Sequence, residues 1–256
     1  MSARITGEDE LGVQRTIVRI GAIATAMVTG AGLLVAGSPA ASAAARTPSA
    51  VVVVTRAAAA SCSTGKYQKQ VEGYLKKLGG YGTLSVDGKQ SAGDCKAIKK
   101  FQSRFGIKPA SGLAGPTTFG VAKRLASTNT STCKASKSKT TVCVDLTHQT
   151  VFVMKGGKVY FKPTVTRTGM KGYRTPTGTY KTWQRANPEY SEKYKVNMYN
   201  WQRFNGGIGL HRTTTYLHDS WRGSHGCVNL LKSDAVFLYG KVNSATVKVY
   251  GRRSGT

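Results

Sequence analysis

The chain has 256 residues and carries 38 Lys and Arg against 11 Asp and Glu, a formal net charge of +27. A balance so basic attracts polyanions, yet the chain has no RNP-like or zinc-finger pattern, which argues against a nucleic-acid partner. The N-terminus reads as an export signal over residues 1–43: Arg15 and Arg19 form a positive start, residues 20–36 are apolar, and Ala41-Ser42-Ala43 offers a small-residue cleavage site. The apolar run is short, broken by glycines and lacks a stop-transfer flank, so no stable membrane anchor is expected once it is cleaved. Its charges cancel (Arg4, Arg15 and Arg19 against Glu8, Asp9 and Glu10), and its removal leaves 256 − 43 = 213 residues, room for two modest domains. A secreted chain of this charge meets the anionic polymers of a Gram-positive cell wall before it meets nucleic acid. Residues 44–61, Ala-rich and including four consecutive valines, form a leader expected to lie outside any folded core.

Helical periodicity begins after Thr64. Val71, Tyr74, Leu75 and Leu78 recur at i, i+3, i+4, i+7 and end at Gly79-Gly80. A second run follows Asp94, a candidate N-cap, with Ala97, Ile98, Phe101 and Phe105 on one face and Gly106 as its stop. A third opens at Pro116, favoured in a first turn, and carries Val121, Ala122 and Leu125. Residues 62–126 are thus expected to form a small three-helix domain. The order of "YLKKLGGYG", "SVDG", "AIKKFQSRFGI" and "GLAGPTTF" resembles the peptidoglycan-binding repeat domain of bacterial wall enzymes. "KQSAGDC" replaces that family's usual Phe-Gly-Pro-x-Thr turn.

Five cysteines are present: Cys62, Cys95, Cys133, Cys143 and Cys227. In an oxidising compartment an even set pairs, and four cysteines allow three connectivities. The most local choice, Cys62–Cys95 and Cys133–Cys143, leaves Cys227 as a free thiol.

Residues 127–140, "STNTSTCKASKSKT", are nearly devoid of apolar side chains and read as a linker. The texture then changes. "TVCVDL", "VFVMKGGKVYF", "PTVTRTG", "TGTYKTW" and "ATVKVY" are short runs of Val, Thr and aromatics split by Gly and Pro, with Gly156-Gly157 marking a hairpin. One short helix is expected over residues 234–239, capped by Ser233 and stopped at Gly240. The fold class is therefore two-domain, α plus mainly β, with a sandwich or closed sheet over residues 141–251.

A cysteine nucleophile requires a base to generate the thiolate, donors for an oxyanion, and access. "GSHGCVNL" at residues 223–230 sets Cys227 after Gly226, where a tight turn and close backbone approach are possible. The backbone N–H groups of Gly226 and Cys227 are the candidate oxyanion donors, and His211, reached through the Gly-rich "GGIGL", is the candidate base. "GLH" followed by "SHGCVN", together with the upstream "DLTHQTVFVMKGGKVYF" and "TRTGMKGYRTPTGTY", resembles the catalytic domain of the L,D-transpeptidases.

The resemblance implies a β-sandwich-like domain, no cofactor, and a two-step acyl transfer on peptidoglycan. Cys227 attacks a stem tetrapeptide with release of D-alanine, a neighbouring stem's amine takes the acyl group, and a 3→3 cross-link forms. His211 is implied as general base, His225 as a structural residue, and Ser224 and Asn229 as hydrogen-bonding supports of the turn. In the resembled family the stretch before His211 is a flap over the donor groove, which makes Met198, Tyr199 and Trp201 candidate groove residues.

Three other readings compete. Water as acceptor would make an L,D-carboxypeptidase. A papain-like endopeptidase places its Cys before its His, the reverse of the order here. A non-catalytic wall-binding protein has no use for both residues. His211, His218 and His225 recur every seven residues, but Asp219, Gly223 and Gly226 argue against the continuous helix that a metal site at this spacing would need, so no metal is expected. His148 has no partner in the sequence and is expected at the surface.

Overall fold

The computed structural model describes residues 62–213 and 215–255. The expected export signal and leader lie outside the described residues.

Three helices open this region: α1 (Gln68–Leu78), α2 (Ala92–Arg104) and α3 (Pro116–Ser127). Their apolar faces meet in one core, where Val71, Leu75, Ile98, Phe101, Ala122 and Leu125 are buried. Burying one such Leu, Ile or Phe is worth about 1.5–3 kcal/mol. Asp94 is not the cap of α2. Ser91 is, and Asp94 stands at the third helical position of a capping box. Asp94 N–H donates to Ser91 Oγ at 3.1 Å while Ser91 N–H donates to Asp94 Oδ2 at 3.0 Å. The box satisfies two orphan donors where a lone Asp cap satisfies one, which is why the helix starts earlier than its apolar pattern. Disulfides join Cys62 to Cys95 and Cys133 to Cys143, and Cys227 is the free cysteine among the described residues.

The Ser/Thr/Lys-rich segment after α3 is pinned at one point. A 3₁₀ turn spans Thr130–Cys133, and Cys133 is fully buried beside Cys143, Phe152 and Met154. Composition hides this because a single residue carries the burial.

The rest is one nine-stranded sheet with a small hairpin set against it. In chain order the strands are β1 (Thr141–Asp145), β2 (Thr150–Lys155), β3 (Lys158–Arg167), β4 (Gly178–Lys181), β5 (Gln184–Ala186), β6 (Glu189–Ser191), β7 (Val196–Met198), β8 (Trp201–Asn205), β9 (Ile208–Arg212) and β10 (Val228–Leu230). Helix α4 (Lys232–Lys241) and β11 (Thr246–Tyr250) follow. The sheet order is β4-β11-β1-β2-β3-β10-β9-β8-β5, and β6 and β7 pair separately. β3 is the long strand that joins the two halves. It pairs with β2 along most of its length and with β10 through Thr166 and Arg167 at its end. Val144, Val151 and Val247 from one half, Leu210, Val228 and Leu230 from the other, and Leu238 of α4 fill a single core, so the sheet curls around it.

Helix α4 begins before Ser233, at Lys232, and runs through Gly240 to Lys241. Asp234 lies inside it and has another task. Its buried carboxylate accepts a hydrogen bond from Thr164 of β3 and pairs with Arg104 of α2 at 2.8 Å. That ion pair ties the helical domain to the sheet. Two more ties support it. His218 Nε2 lies 2.8 Å from the Phe105 carbonyl, and Val165 of β3 is buried in the helical core.

Arg104→Ala strands the Asp234 carboxylate in a buried site, and is expected to cost about 2 kcal/mol in equilibrium urea unfolding. The double variant Arg104→Ala/Asp234→Asn should recover part of that loss. A strictly additive double variant would mean the pair carries no coupling.

Candidate functional site

The parallel pairing of β9 with β10 sets Leu210 opposite Val228 and His211 opposite Asn229. Side chains alternate along a strand, so Leu210, Val228 and Leu230 enter the core while His211 and Asn229 take the other face. Cys227, two residues before Asn229, is on that same side. Its half-buried thiol lies 3.9 Å from the Gly207 carbonyl.

The hydrogen bonds of His211 fix its tautomer. Nδ1 is 2.9 Å from the Arg212 carbonyl, which only accepts, so Nδ1 carries the proton. Nε2 is left as the basic nitrogen and lies 2.8 Å from Asn229 Nδ2, which donates to it. Tyr216 O–H in turn donates to Asn229 Oδ1 at 2.8 Å. Tyr216, Asn229, His211 and the Arg212 carbonyl thus form one chain of donors pointing the same way. Burial lowers the imidazole's pKa to about 4, against a smaller opposing effect of the Arg212 carbonyl. Burial also raises the Cys227 thiol above its ordinary value, while a backbone hydrogen bond with Gly209 pulls the other way. Burial thus favours the neutral form of each group.

The turn before the thiol is built backbone by backbone. Gly226 has φ 116°, which side-chain-bearing residues rarely adopt, and a Cβ there would come within 2.9 Å of Ile208. Ser224 Oγ donates to the Cys227 carbonyl at 2.6 Å and accepts the Gly226 N–H at 3.1 Å. The Gly226 N–H is thus already engaged, which corrects its expected place among the oxyanion donors. Thr175 braces the turn from below, donating to the Gly226 carbonyl at 2.7 Å and accepting the Gly169 N–H at 3.0 Å. His225 points outward between Tyr173 and Tyr194, with ring centroids 4.2 and 4.7 Å away. Tyr194 belongs to the connection between β6 and β7, so that hairpin reaches the turn.

The expected groove residues divide. Trp201 is fully buried and packs against His211 at 5.8 Å between ring centroids, so it braces the imidazole and exposes no surface to a groove. This accounts for Gly209 too, since a Cβ there would meet the Trp201 ring at 2.7 Å. Tyr199 is exposed and stacks against the Arg212 guanidinium at 4.1 Å, and Met198 is half-buried at the end of β7. His218 bonds the Phe105 carbonyl of the helical domain, and His148 is paired with Asp145 at 2.8 Å. Among the described residues no group of three His, Cys, Asp or Glu is arranged to hold a metal.

Tyr216, Thr175 and the Arg212 carbonyl were not singled out in the sequence. Tyr216 sits five residues after His211 in a loop, where no periodicity ties it to the imidazole. Thr175 opens the "TPTG" turn and was legible only as part of that motif.

Comparison with known proteins finds two matching families. The L,D-transpeptidase catalytic-domain family matches residues 139–250, and the peptidoglycan binding domain family matches residues 64–121. A crystal structure of an L,D-transpeptidase from Stackebrandtia nassauensis is 53% identical, with a TM-score of 0.74 over 76% of this chain and 96% of that one. An L,D-transpeptidase mutant from Enterococcus faecium is 26% identical over 44% of this chain and 50% of that one, with a TM-score of 0.39. One from Xylanimonas cellulosilytica is 23% identical over 74% of this chain and 96% of that one, with a TM-score of 0.44. No curated protein matches. Among the described residues, no helix is long and apolar enough to cross a membrane. Two peptidoglycan-directed domains make peptidoglycan a partner and imply work outside the cytoplasm. The chain belongs to the L,D-transpeptidase family of cysteine-dependent enzymes, its catalytic domain preceded by a peptidoglycan binding domain.

Proposed function

We propose that the chain forms 3→3 cross-links in peptidoglycan through an acyl-enzyme on Cys227. The observation that carries this reading is a free thiol two residues before the partner of His211 in the strand pair, with the Arg212 carbonyl on Nδ1 leaving Nε2 as the basic nitrogen. Cys227 Sγ attacks the carbonyl carbon between residues three and four of a stem tetrapeptide as His211 Nε2 takes the thiol proton. The tetrahedral oxyanion collapses, the C–N bond breaks, and D-alanine leaves with the proton returned by the imidazolium. A side-chain amine of a neighbouring stem then attacks the thioester, His211 accepts its proton, and the thiol reforms as it regains that proton. A positioned base of this kind supplies about 10²–10⁴-fold.

With the Gly226 N–H held by Ser224, the oxyanion's donor is the N–H of Cys227 itself. Removing such a donor costs about 10²–10³ in rate in other acyl-transfer enzymes. Asn229 must yield Nε2 to the thiol proton. Its amide, held by Tyr216 with the NH₂ toward Nε2, opposes protonation there until attack begins. Tyr173, His225 and Tyr194 form an aromatic wall at the catalytic turn, and the β6–β7 hairpin that carries Tyr194 forms one face of the donor groove. The basic surface retains the protein among anionic wall polymers.

Intact-mass spectrometry with a carbapenem and with a purified disaccharide-tetrapeptide tests the reading. An adduct mapping to Cys227, lost in Cys227→Ala, with a dimeric muropeptide lacking one D-alanine, is the expected result. A tripeptide product alone would reassign the acceptor to water, and an adduct surviving in Cys227→Ala would remove the nucleophile. Because burial favours a neutral thiol and a neutral imidazole, the alkylation rate of Cys227 by iodoacetamide should climb with pH past 9. A plateau between pH 5 and 8 would instead reveal a thiolate–imidazolium pair. In Tyr216→Phe the Asn229 amide is free to turn its oxygen to Nε2, which favours imidazolium. The acid limb of the kcat/KM profile should move up from near pH 4, with kcat down about tenfold and KM unchanged. An unchanged limb would reduce Tyr216 to a packing residue.

A further inference from the structure

The helical domain and β3 of the catalytic domain enclose a cleft of about 520 Å³, within the roughly 300–1,000 Å³ of small-ligand sites. All three helices bring their C-terminal ends to it: Leu78 closes α1, Phe105 follows α2, and Leu125 and Ala126 stand in the last turn of α3. These side chains make an apolar floor, and Pro163 of β3 extends it from the other domain. Tyr81 adds an aromatic ring that is half-buried and braced edge-on against Phe101, with centroids 5.5 Å apart. Lys100 Nζ donates to the Gly80 carbonyl at 2.8 Å, which holds the loop that carries Tyr81. Lys77 and Lys162 stand exposed at the rim, one from each domain. Hydrated as they are, they cost the fold nothing, and each ammonium has three hydrogens to donate.

The helix ends decide what such a cleft takes. A helix C-terminus is the negative end of the backbone dipole and opposes an anion, while its last carbonyls, lacking intrahelical partners, accept hydrogen bonds. Lys77 and Arg104 already stand in the last turns of α1 and α2, and Arg104 is paired with Asp234. A polyphosphate chain would thus meet three opposing helix ends and an apolar floor for which it has no matching face. An N-acetylated amino sugar has a counterpart for each element. Its C–H face suits the Tyr81 ring, its acetyl methyl the floor, its hydroxyl and amide hydrogens the carbonyls, and its acetyl or lactyl oxygens the lysines.

We propose that this cleft is where the chain grips the glycan strand of peptidoglycan, and that β3 of the catalytic domain supplies one wall of it. The binding site is then composite, with Tyr81 and Lys77 from the helical domain and Lys162 and Pro163 from the sheet. Glycan in the cleft bridges the two domains beside the Arg104–Asp234 pair, and so adds to what holds them together. The inference rests on peptidoglycan as the partner and not on the acyl-transfer reading.

The test is isothermal titration of the full chain with a peptide-free tetrasaccharide of alternating N-acetylglucosamine and N-acetylmuramic acid, at about 0.15 M NaCl. This probe has no stem peptide to enter the catalytic groove. Its binding and the carbapenem adduct on Cys227 are therefore separate readouts, and either reading can fail without the other. Tyr81→Leu, which keeps the position apolar, should raise Kd about tenfold, and Tyr81→Phe should stay within about twofold of the parent. Lys162→Gln should raise Kd about three- to tenfold. Lys158→Gln removes the same charge from the exposed start of β3, outside the cleft, and should leave Kd unchanged. Lys162 is exposed, so its variant keeps the test decisive even where Tyr81→Leu fails to fold. Equal loss in the two lysine variants would reduce the effect to net charge, and loss in Tyr81→Leu without loss in Lys162→Gln would confine the site to the helical domain. Either outcome overturns the proposal, as does parental affinity in Tyr81→Leu or no binding by the parent chain. A glycerol-phosphate oligomer that displaces the tetrasaccharide would overturn it too, by assigning the cleft to an anionic polymer.

Discussion

The parallel pairing of β9 with β10 determines where every reactive atom of the candidate site stands. Because β9 and β10 run the same way, the residue two beyond Cys227 falls beside His211, and thiol, amide and imidazole share one face. The opposite face is buried in the core through Leu210, Val228 and Leu230, so a one-residue slip would place valine or leucine where the thiol chemistry is needed. The register is therefore held by the energy of the core. Trp201 adds to this by packing against the imidazole and requiring Gly209 to have no side chain. The site is precise because close-packed apolar side chains fix the strand register while hydrogen bonds from Ser224, Thr175 and Tyr216 fix the turn and the Asn229 amide.

A second constraint follows from the burial that gives this precision. Desolvation penalises both charged forms, imidazolium and thiolate, so burial favours a neutral resting pair. In the proposed mechanism the proton then moves as the carbon–sulfur bond forms, and the thiolate is not stored beforehand. The Tyr216–Asn229 chain strengthens this arrangement. With the Arg212 carbonyl on one nitrogen and an amide NH₂ on the other, each neighbour of His211 favours the same neutral tautomer.

Much of this was legible in the sequence, and the failures have specific causes. The helices of the N-terminal half were visible because their apolar residues repeat at helical spacing, and the disulfides because oddness in five cysteines singles one out. Asp94 was misread as a cap because a capping box and a lone cap share the same acidic residue, differing only in the serine three positions earlier. Trp201 was misread as a groove residue because an aromatic cluster near a site looks alike whether its rings face in or out. In β8 the alternation that decides between them is interrupted, with Trp201 and Gln202 both buried. Asp234 looked like the first turn of a short helix. Its pairing with Arg104, 130 residues earlier, is a contact between domains that no local pattern announces.

That last contact belongs to a wider pattern in how the two domains are joined. Arg104, Arg124 and His218 all cross the interface, and each reaches a group on the far side: a carboxylate, the carbonyls of His148 and Thr166, and the Phe105 carbonyl. A junction with this many polar contacts costs desolvation that an apolar one would not, and among the described residues Val165 and Leu231 pack against the helical core beside it. Its return is directional, because hydrogen bonds to fixed backbone carbonyls define an orientation that interchangeable apolar contacts do not. An enzyme whose substrate is a polymer fixed in place has a use for that. Under the proposed function, a binding domain held at one angle to the thiol would also set the direction from which a stem peptide arrives. A freely jointed domain would raise only the local concentration, whereas an oriented one selects which stems can be reached.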